Sequence, residues 1–492
     1  MPQNKALIIG AGIAGIATAI RLAIKGYKVE VFEANGYAGG KIAEFEQNGF
    51  RFDAGPSLFT MPQYVDELFK LAGKEPSEFF SYQKLDIIYK YFYEDGSRLT
   101  AYADEEKFID DVVKLTGDAN AIKKYLENSS RIYKLSNPVF LEHSLHRLKT
   151  YLSPDAFRAL LRLPQLDASR TMHRANSNLF NDHRLVQYAD RYATYNGSDP
   201  YQVPATLNVI PHLEHHLGAY FPGKGMYSII QSLVQLAESL GVSFRYNSSV
   251  DQILIKDKKA IGIKVNKKTI EADIVVSNMD IWFTYHKLLS DHPHIHPKKI
   301  LNQERSSSAM IFYWGINKQF PELNLHNIFF SADYEAEFDH IWQKQSIYND
   351  STVYVNISSK LKTDDAPSGC ENWFVMINVP ANKGQDWDEL IKTARENILE
   401  KLSRILKTDI AELIVCESIL DPRSIENRTS SYQGSIYGTS SNSRFAAFLR
   451  HANRSFKIKN LYFCGGSVHP GGGIPLCLLS AKITSGLIPQ TP

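Results

Sequence analysis

The hydrophobic pattern opens on a short unbroken run after Lys5, so Lys5–Ile9 reads as a buried strand. Ile13–Lys25 then repeats apolar positions at helical spacing up to Gly26, and Tyr27–Glu33 alternates like a second strand. From about Asp104 to Glu214 the spacing is helical and crowded with aromatic residues. Helical periodicity returns over Met226–Leu240 and ends at Gly241, a residue suited to the position after a helix. Val242–Tyr246, Val250–Ile255 and Ala260–Val265 read as strands, and the apolar run Asp273–Ser277 as a parallel core strand. From about Ser307 to Pro380 the pattern favours β structure, most clearly in Met310–Ile316 and Ser351–Ile357. A long helix, Trp387–Leu406, precedes a final strand, loop and helix over Leu461–Gly486. With no internal repeat and no low-complexity linker, the chain reads as one interwoven body.

Composition narrows the class without changing this picture. The 492 residues are 43% hydrophobic and 22% charged, values of an ordinary globular protein rather than a disordered or fibrous one. A balance of 55 basic against 53 acidic residues argues against global nucleic-acid electrostatics. Cys370, Cys416, Cys464 and Cys477 lie in no CxxC spacing, so a disulfide scaffold or zinc site is not expected and a reducing compartment fits. The apolar run Ala6–Ile20 competes as a signal peptide, but its three glycines have a physical use and it is too short to span a bilayer. The expectation is a soluble or peripheral protein.

Gly10-Ala11-Gly12-Ile13-Ala14-Gly15 sits where the first strand turns into the first helix. Gly10 permits the tight turn, Gly12 lets backbone approach a pyrophosphate, and Gly15 lets the helix pack close to the strand. Glu33 ends the next strand, where a carboxylate accepts hydrogen bonds from both ribose hydroxyls and repels a 2′-phosphate. Gly39-Gly40-Lys41 and the turn Gly55-Pro56-Ser57 follow closely. Their backbone N–H groups at Gly40 and Ser57 can reach phosphate or ribityl oxygens, and Lys41 can supply a cation. A third cluster near the other end holds Gly465, Gly466 and Gly471-Gly472-Gly473 before Ile474. There, helix N–H groups can face a ring edge that gains negative charge on reduction. Three glycine-rich turns from opposite chain ends suit one elongated cofactor, and FAD fits better than NAD.

GxGxxG with Glu33, GGK, GFRFDAGPS, FPGKGM (221–226), ADIVVSNMD (272–280) and LYFCGGSVHPGGGIP together resemble the bacterial-type carotenoid desaturase family, relatives of the phytoene desaturases. RYATYNGSDP (191–200) and YGTSS (437–441) agree, so the resemblance covers essentially the whole chain. It implies an α/β fold of the amine-oxidase-like flavoprotein type. A Rossmann-like FAD-binding domain would be assembled from residues 1–75, 221–300 and 425–492. A β-rich substrate domain with a mixed or antiparallel sheet would take 76–103 and 301–424, and a helical, membrane-facing part 104–220. The resemblance also implies FAD-dependent dehydrogenation of a polyene. It maps flavin contacts to Gly10, Gly12, Gly15, Glu33, Lys41, Ser57, Val250, Asn278, Gly466 and Ile474, with Ala11, Gly40, Gly55, Pro56, Gly465 and Gly473 beside them. Two departures stand out: GGK replaces the family's usual GGR, and Leu58 follows GPS where phytoene desaturases often carry an aromatic residue. Both look more like the hydroxycarotenoid 3,4-desaturase subgroup.

Dehydrogenating a CH2–CH2 bond beside a polyene needs a hydride acceptor, and the cation left behind is resonance-stabilised. Proton loss then needs only a weak base, so no catalytic side chain is assigned; Tyr195 and Tyr437 are the candidate polyene-lining residues. The leading expectation is 3,4-desaturation of an acyclic 1-hydroxylated carotenoid. Its rivals are phytoene desaturation, carotenoid isomerisation, and a non-enzymatic prenyl-binding escort on the same fold. A lipophilic substrate implies a cytoplasmic enzyme peripherally attached to the inner face of the membrane. Leu141, Leu145, Leu148 and Leu152, with Phe157, Leu160 and Leu161 after Ser153-Pro154, offer an apolar stripe among basic residues for that contact. Oxygen or a quinone would reoxidise the flavin. His292, His294 and His296 lack a ligand set for a metal, none of which is expected, and His212, His215 and His216 read as packing or surface residues.

Overall fold

In the computed structural model, which describes residues 4–137, 143–146, 150 and 162–491, strand Lys5–Ile9 lies at the centre of a five-stranded parallel sheet. The order is Ser243–Arg245, Lys28–Phe32, Lys5–Ile9, Ile274–Ser277, Leu461–Phe463, with Ala6 opposite Val29 on one side and Ile274 on the other. Parallel strands need crossovers, and helix Ile13–Ile24 supplies the first. That helix is buried along most of its length because helix Ile474–Leu487 and helix Ser228–Ser239 pack on it. Ile274–Ser277 is buried throughout, as a strand covered on both faces should be. The sheet therefore joins segments from both ends of the chain and from its middle.

A second, seven-stranded sheet runs Ile414–Leu420, Ser308–Ile316, Glu371–Val379, Val353–Asn356, His326–Phe329, Ile87–Phe92, Arg98–Tyr102. It is antiparallel except where His326–Phe329 pairs with Ile87–Phe92. The period-two alternation of its central strands decides what each face does. Phe312, Trp314, Trp373, Val375 and Ile377 pack beneath helix Trp387–Leu406, whose N-terminus is capped by Asp386 accepting from the Glu389 N–H. Ala309, Ile311, Phe374 and Met376 point the other way, into a large cavity. Ser308–Ile316 has no exposed position because both faces are covered.

Most of the expected elements are present with shortened ends: Val242–Tyr246 contracts to Ser243–Arg245, and Met226–Leu240 to Ser228–Ser239. A strand not foreseen, Lys268–Glu271, completes a three-stranded antiparallel sheet with Val250–Lys256 and Lys259–Val265. The leucine stripe expected to face a membrane is corrected at Leu145, which is buried against protein at 4% exposure. Leu141, Leu148, Leu152, Ser153, Pro154, Phe157, Leu160 and Leu161 lie outside the described residues.

Candidate active site

The cavity, about 500 Å³, runs from the carboxyl ends of the five-stranded sheet to the inner face of the seven-stranded one. That first position is where open parallel sheets bind ligands. Gly10 and Gly12 line it at the turn into helix Ile13–Ile24. Gly15 does not; it lies behind the wall, where an added Cβ would meet the Gly10 carbonyl oxygen at 2.2 Å. No side chain fits there, which is the physical content of the third glycine.

Glu33 is buried and organises this turn. One carboxylate oxygen accepts from the Ala11 N–H at 2.8 Å, and the other from the Asn35 N–H at 2.9 Å and the Asn35 amide at 3.0 Å. Ala11 is thus a turn-former and not a wall residue, although Glu33 itself lines the cavity. Asn278, with its amide oriented to satisfy both ends, accepts from the Gly12 and Gly15 N–H groups at 3.2 Å and donates to the Cys464 carbonyl at 3.3 Å. It therefore ties the glycine turn to the last strand of the sheet. Ile13 and Ala14, the first residues of the helix, both line the cavity, so the helix N-terminus faces it. A helix N-terminus beside a buried carboxylate fits the pyrophosphate and ribose of a dinucleotide.

The remaining expected residues converge on the same space. Gly40 and Lys41 line it, as do Gly55, packed against the Lys41 backbone, and Pro56, Ser57 and Val250. Gly465, Gly466, Gly473 and Ile474 close it from the C-terminal side, along with Tyr195 and Tyr437. Gly473 has open space where a side chain would be, so backbone alone faces a ligand there. Lys41 is half-buried, and desolvation lowers its pKa to about 8 despite Asp280 nearby. Its ammonium donates to the Ser435 and Ile436 carbonyls at 3.0 and 2.9 Å, so it also anchors that loop.

Sequence reasoning missed the polar patch in the substrate-side wall. Arg191 is buried, with the rings of Tyr89 and Tyr192 at 4.4 and 4.6 Å from its guanidinium. It donates to the Tyr91 hydroxyl at 2.8 Å and lies 3.6 Å from Glu214. Burial raises the Glu214 pKa to about 7, which Arg191 opposes. Tyr195 and Tyr89 share a hydroxyl hydrogen bond of 3.0 Å. Ser57 bonds Tyr354 at 2.7 Å, and Tyr354 bonds His326 at 2.7 Å. A basic residue inside an otherwise aromatic motif, RYATYN, was the available signal.

Burial also holds several imidazoles neutral. His215 and His326 are lowered to about 3, and His212, His451 and His469 to about 4, each chiefly by desolvation. The unfolded chain binds protons at these groups below their ordinary value of 6.5 while the folded protein does not, so acidification destabilises. Glu214 and Glu337, raised to about 7 by burial, act in the opposite sense between pH 4.5 and 7. His146, lowered by burial, adds to the first effect, while Asp190 and Asp199, raised by burial, and His173, raised by its bond to Asp190, add to the second, leaving a modest net destabilisation by acid. The melting temperature is expected to fall by about 2–5 °C from pH 6.5 to 5. A flat thermal-unfolding profile over that range would contradict the neutral imidazoles.

Residues 13–488 match the family model described as flavin containing amine oxidoreductase. The chain is 51% identical over 490 residues to the 1-hydroxycarotenoid 3,4-desaturase of Flavobacterium sp. (strain P99-3), covering 99% of this chain and 100% of that one. It is 32% identical to the 4,4'-diapolycopene oxygenase of Methylomonas sp., covering 98% and 97%. Among solved structures, an oxidoreductase from Methanosarcina mazei superposes with a TM-score of 0.64 at 15% identity, over 97% and 98% of the two chains, which speaks for the fold alone.

Proposed function

The chain belongs to the flavin-containing amine oxidoreductase family, and we propose that it is an FAD-dependent carotenoid desaturase that introduces the 3,4 double bond into an acyclic 1-hydroxylated carotenoid. The observation that carries this reading is one cavity joining a dinucleotide turn to a long apolar wall. Glu33 and the Ile13–Ala14 helix start would hold the ribose and pyrophosphate. The Gly465–Ile474 segment would lie along the ring system, and the inner face of the seven-stranded sheet would hold the polyene. Bound FAD would supply the two-electron hydride acceptor that the side chains lack.

The chain's own part is to bind, orient and keep dry. Ile311, Ile328, Phe374 and Met376 present a flat apolar surface on which a rigid polyene loses little entropy. Hydride loss beside the conjugated chain leaves a delocalised cation, so the departing proton needs no strong base; none is assigned here. Arg191, Tyr89, Tyr195 and Ser57 interrupt that apolar lining with donors and acceptors, as a substrate ending in a hydroxyl requires. This favours the hydroxylated substrate over phytoene. The membrane-dissolved substrate favours a cytoplasmic protein seated peripherally on the membrane. No described helix is long and apolar enough to cross one.

The test supplies FAD and liposomes loaded with either phytoene or a 1-hydroxylated acyclic carotenoid and follows the polyene absorption. The expected result is a red shift with the hydroxylated substrate only. A shift with phytoene alone would overturn the substrate assignment. No shift with either, in protein that binds no flavin, would instead favour the prenyl-binding escort.

A further inference from the structure

From Asn427 to Pro492 the chain has no Asp or Glu, yet it carries seven Lys and Arg residues in a protein whose overall charge is only +2. Five of the seven, Arg444, Arg450, Arg454, Lys457 and Lys459, fall within sixteen residues. The same stretch exposes apolar side chains: Phe445 at 64%, Leu449 at 46% and Phe456 at 66%. Single exposed apolar residues are ordinary, but several interleaved with cations on one strip are not. Among the described residues no carboxylate lies within ion-pairing distance of Arg444, Arg454, Lys457 or Lys459.

Neighbouring segments extend the positive face. Lys459 donates its N–H to the Lys258 carbonyl at 2.8 Å and accepts from the Ala260 N–H at 2.9 Å, which sets Lys258 and Lys259 beside it. The Lys457 ammonium donates to the His294 carbonyl at 3.1 Å, bringing up the loop that ends in Lys298 and Lys299. Acidic residues lie close by as well: Asp257 in the same turn as Lys258, Asp291, which accepts from the Gln252 amide at 2.6 Å, Glu304, which accepts from the Ser440 hydroxyl and Asn442 amide at 2.9 Å, and Asp273, which accepts from the Lys5 N–H at 2.8 Å.

The inner side of the strip is fixed to the cavity. Arg450 is buried against Gly471, whose added Cβ would lie 3.1 Å from the guanidinium carbon. The His451 carbonyl accepts from the His469 N–H at 2.9 Å. Gly472 and Gly473, the next residues of that loop, line the cavity. An apolar and cationic exterior is thus one layer of protein away from the space assigned to the cofactor and polyene.

We propose that the strip 444–459, with Lys258 and Lys259, is the face on which the protein seats on an anionic lipid bilayer. Phe445, Leu449 and Phe456 enter the acyl boundary while the cations meet lipid phosphates. The choice of a bilayer over another polyanion rests on these apolar side chains and on the desaturase reading, which places the substrate in lipid. It relocates the contact from the leucine stripe around Leu145 to the C-terminal part of the chain.

The experiment is flotation of the flavin-loaded full chain with phosphatidylcholine vesicles, with and without about 30% phosphatidylglycerol. Binding is expected only with the anionic vesicles and to weaken steeply with salt. The triple variant R454Q/K457Q/K459Q is expected to bind about 100-fold more weakly. F445S/F456S, which changes no charge, is expected to lose about tenfold. Both variants alter exposed positions, and an unchanged visible flavin spectrum and melting temperature identify folded protein. Undiminished flotation of either variant overturns the proposal. So does retention on a DNA duplex without flotation, the mark of a generic polyanion site. The flotation assay holds no carotenoid and is read apart from the carotenoid-liposome assay: flotation here with no desaturation there rejects the desaturase reading and leaves the docking face standing, and desaturation there without flotation here does the reverse.

Discussion

Glu33→Ala is expected to purify nearly colourless, with flavin affinity reduced about 100–1000-fold and the fold retained. Two losses combine. The ribose hydroxyls lose a charged acceptor, at about 1.5–3 kcal/mol for each hydrogen bond. The Ala11 N–H, which the carboxylate accepts at 2.8 Å, loses the partner that shapes the glycine turn. Glu33→Gln separates the two. It keeps the size of the side chain but replaces one acceptor with a donor, facing either the Ala11 N–H or the two Asn35 donors. Its affinity is expected between those of Glu33→Ala and the parent. Flavin titration by fluorescence quenching checks both variants, and unchanged occupancy in Glu33→Ala would sink the placement of the ribose.

Arg51→Met is expected to cost about 3–5 kcal/mol of stability, because it strands buried carboxylates. Arg51 pairs with Asp53 at 2.8 Å and with Asp365 at 3.3 Å, and donates to Glu44 at 2.7 Å. Asp365 has no exposed surface, and Ser358 and Lys362 are its other partners. Asp53 in turn accepts from the Met226 and Tyr227 N–H groups at 2.9 and 3.1 Å. This cluster explains why GFRFDAGPS and FPGKGM occur together: one carboxylate joins them, and Gly225 leaves room for the guanidinium that holds it. Denaturant unfolding of Arg51→Met with and without Asp365→Asn reads the effect. The second change is expected to restore part of the loss by removing a buried charge that has lost one of its two cationic partners. Stability unchanged in Arg51→Met would show that the cluster is solvated.

Local chemistry was legible in the sequence. The β–α–β opening, the glycine turn with Glu33, the two-face burial of Ile274–Ser277 and the helix Trp387–Leu406 are set by periodicity and turn stereochemistry over a few residues. The convergence of three glycine turns on one cavity was also readable, since each turn carries its own conformational demand. Tyr195 and Tyr437 were found through their motifs, and both line the cavity.

The tertiary structure decided everything that depends on who faces whom. Arg191 reads as an ordinary helical arginine until the fold closes Tyr89, Tyr91 and Tyr192 around it. Arg51 and Asp365 are 314 residues apart and meet only because the hairpin carrying Arg51 packs on the seven-stranded sheet. Leu145 has the spacing of a surface stripe and is buried all the same. The exposed Phe445 and Phe456 are no more apolar than the phenylalanines of the core; only packing leaves them outside. Periodicity and turn preferences follow from dihedral angles within a few residues, whereas burial, ion pairing and cavity walls follow from contacts whose partners exist only once the chain has closed.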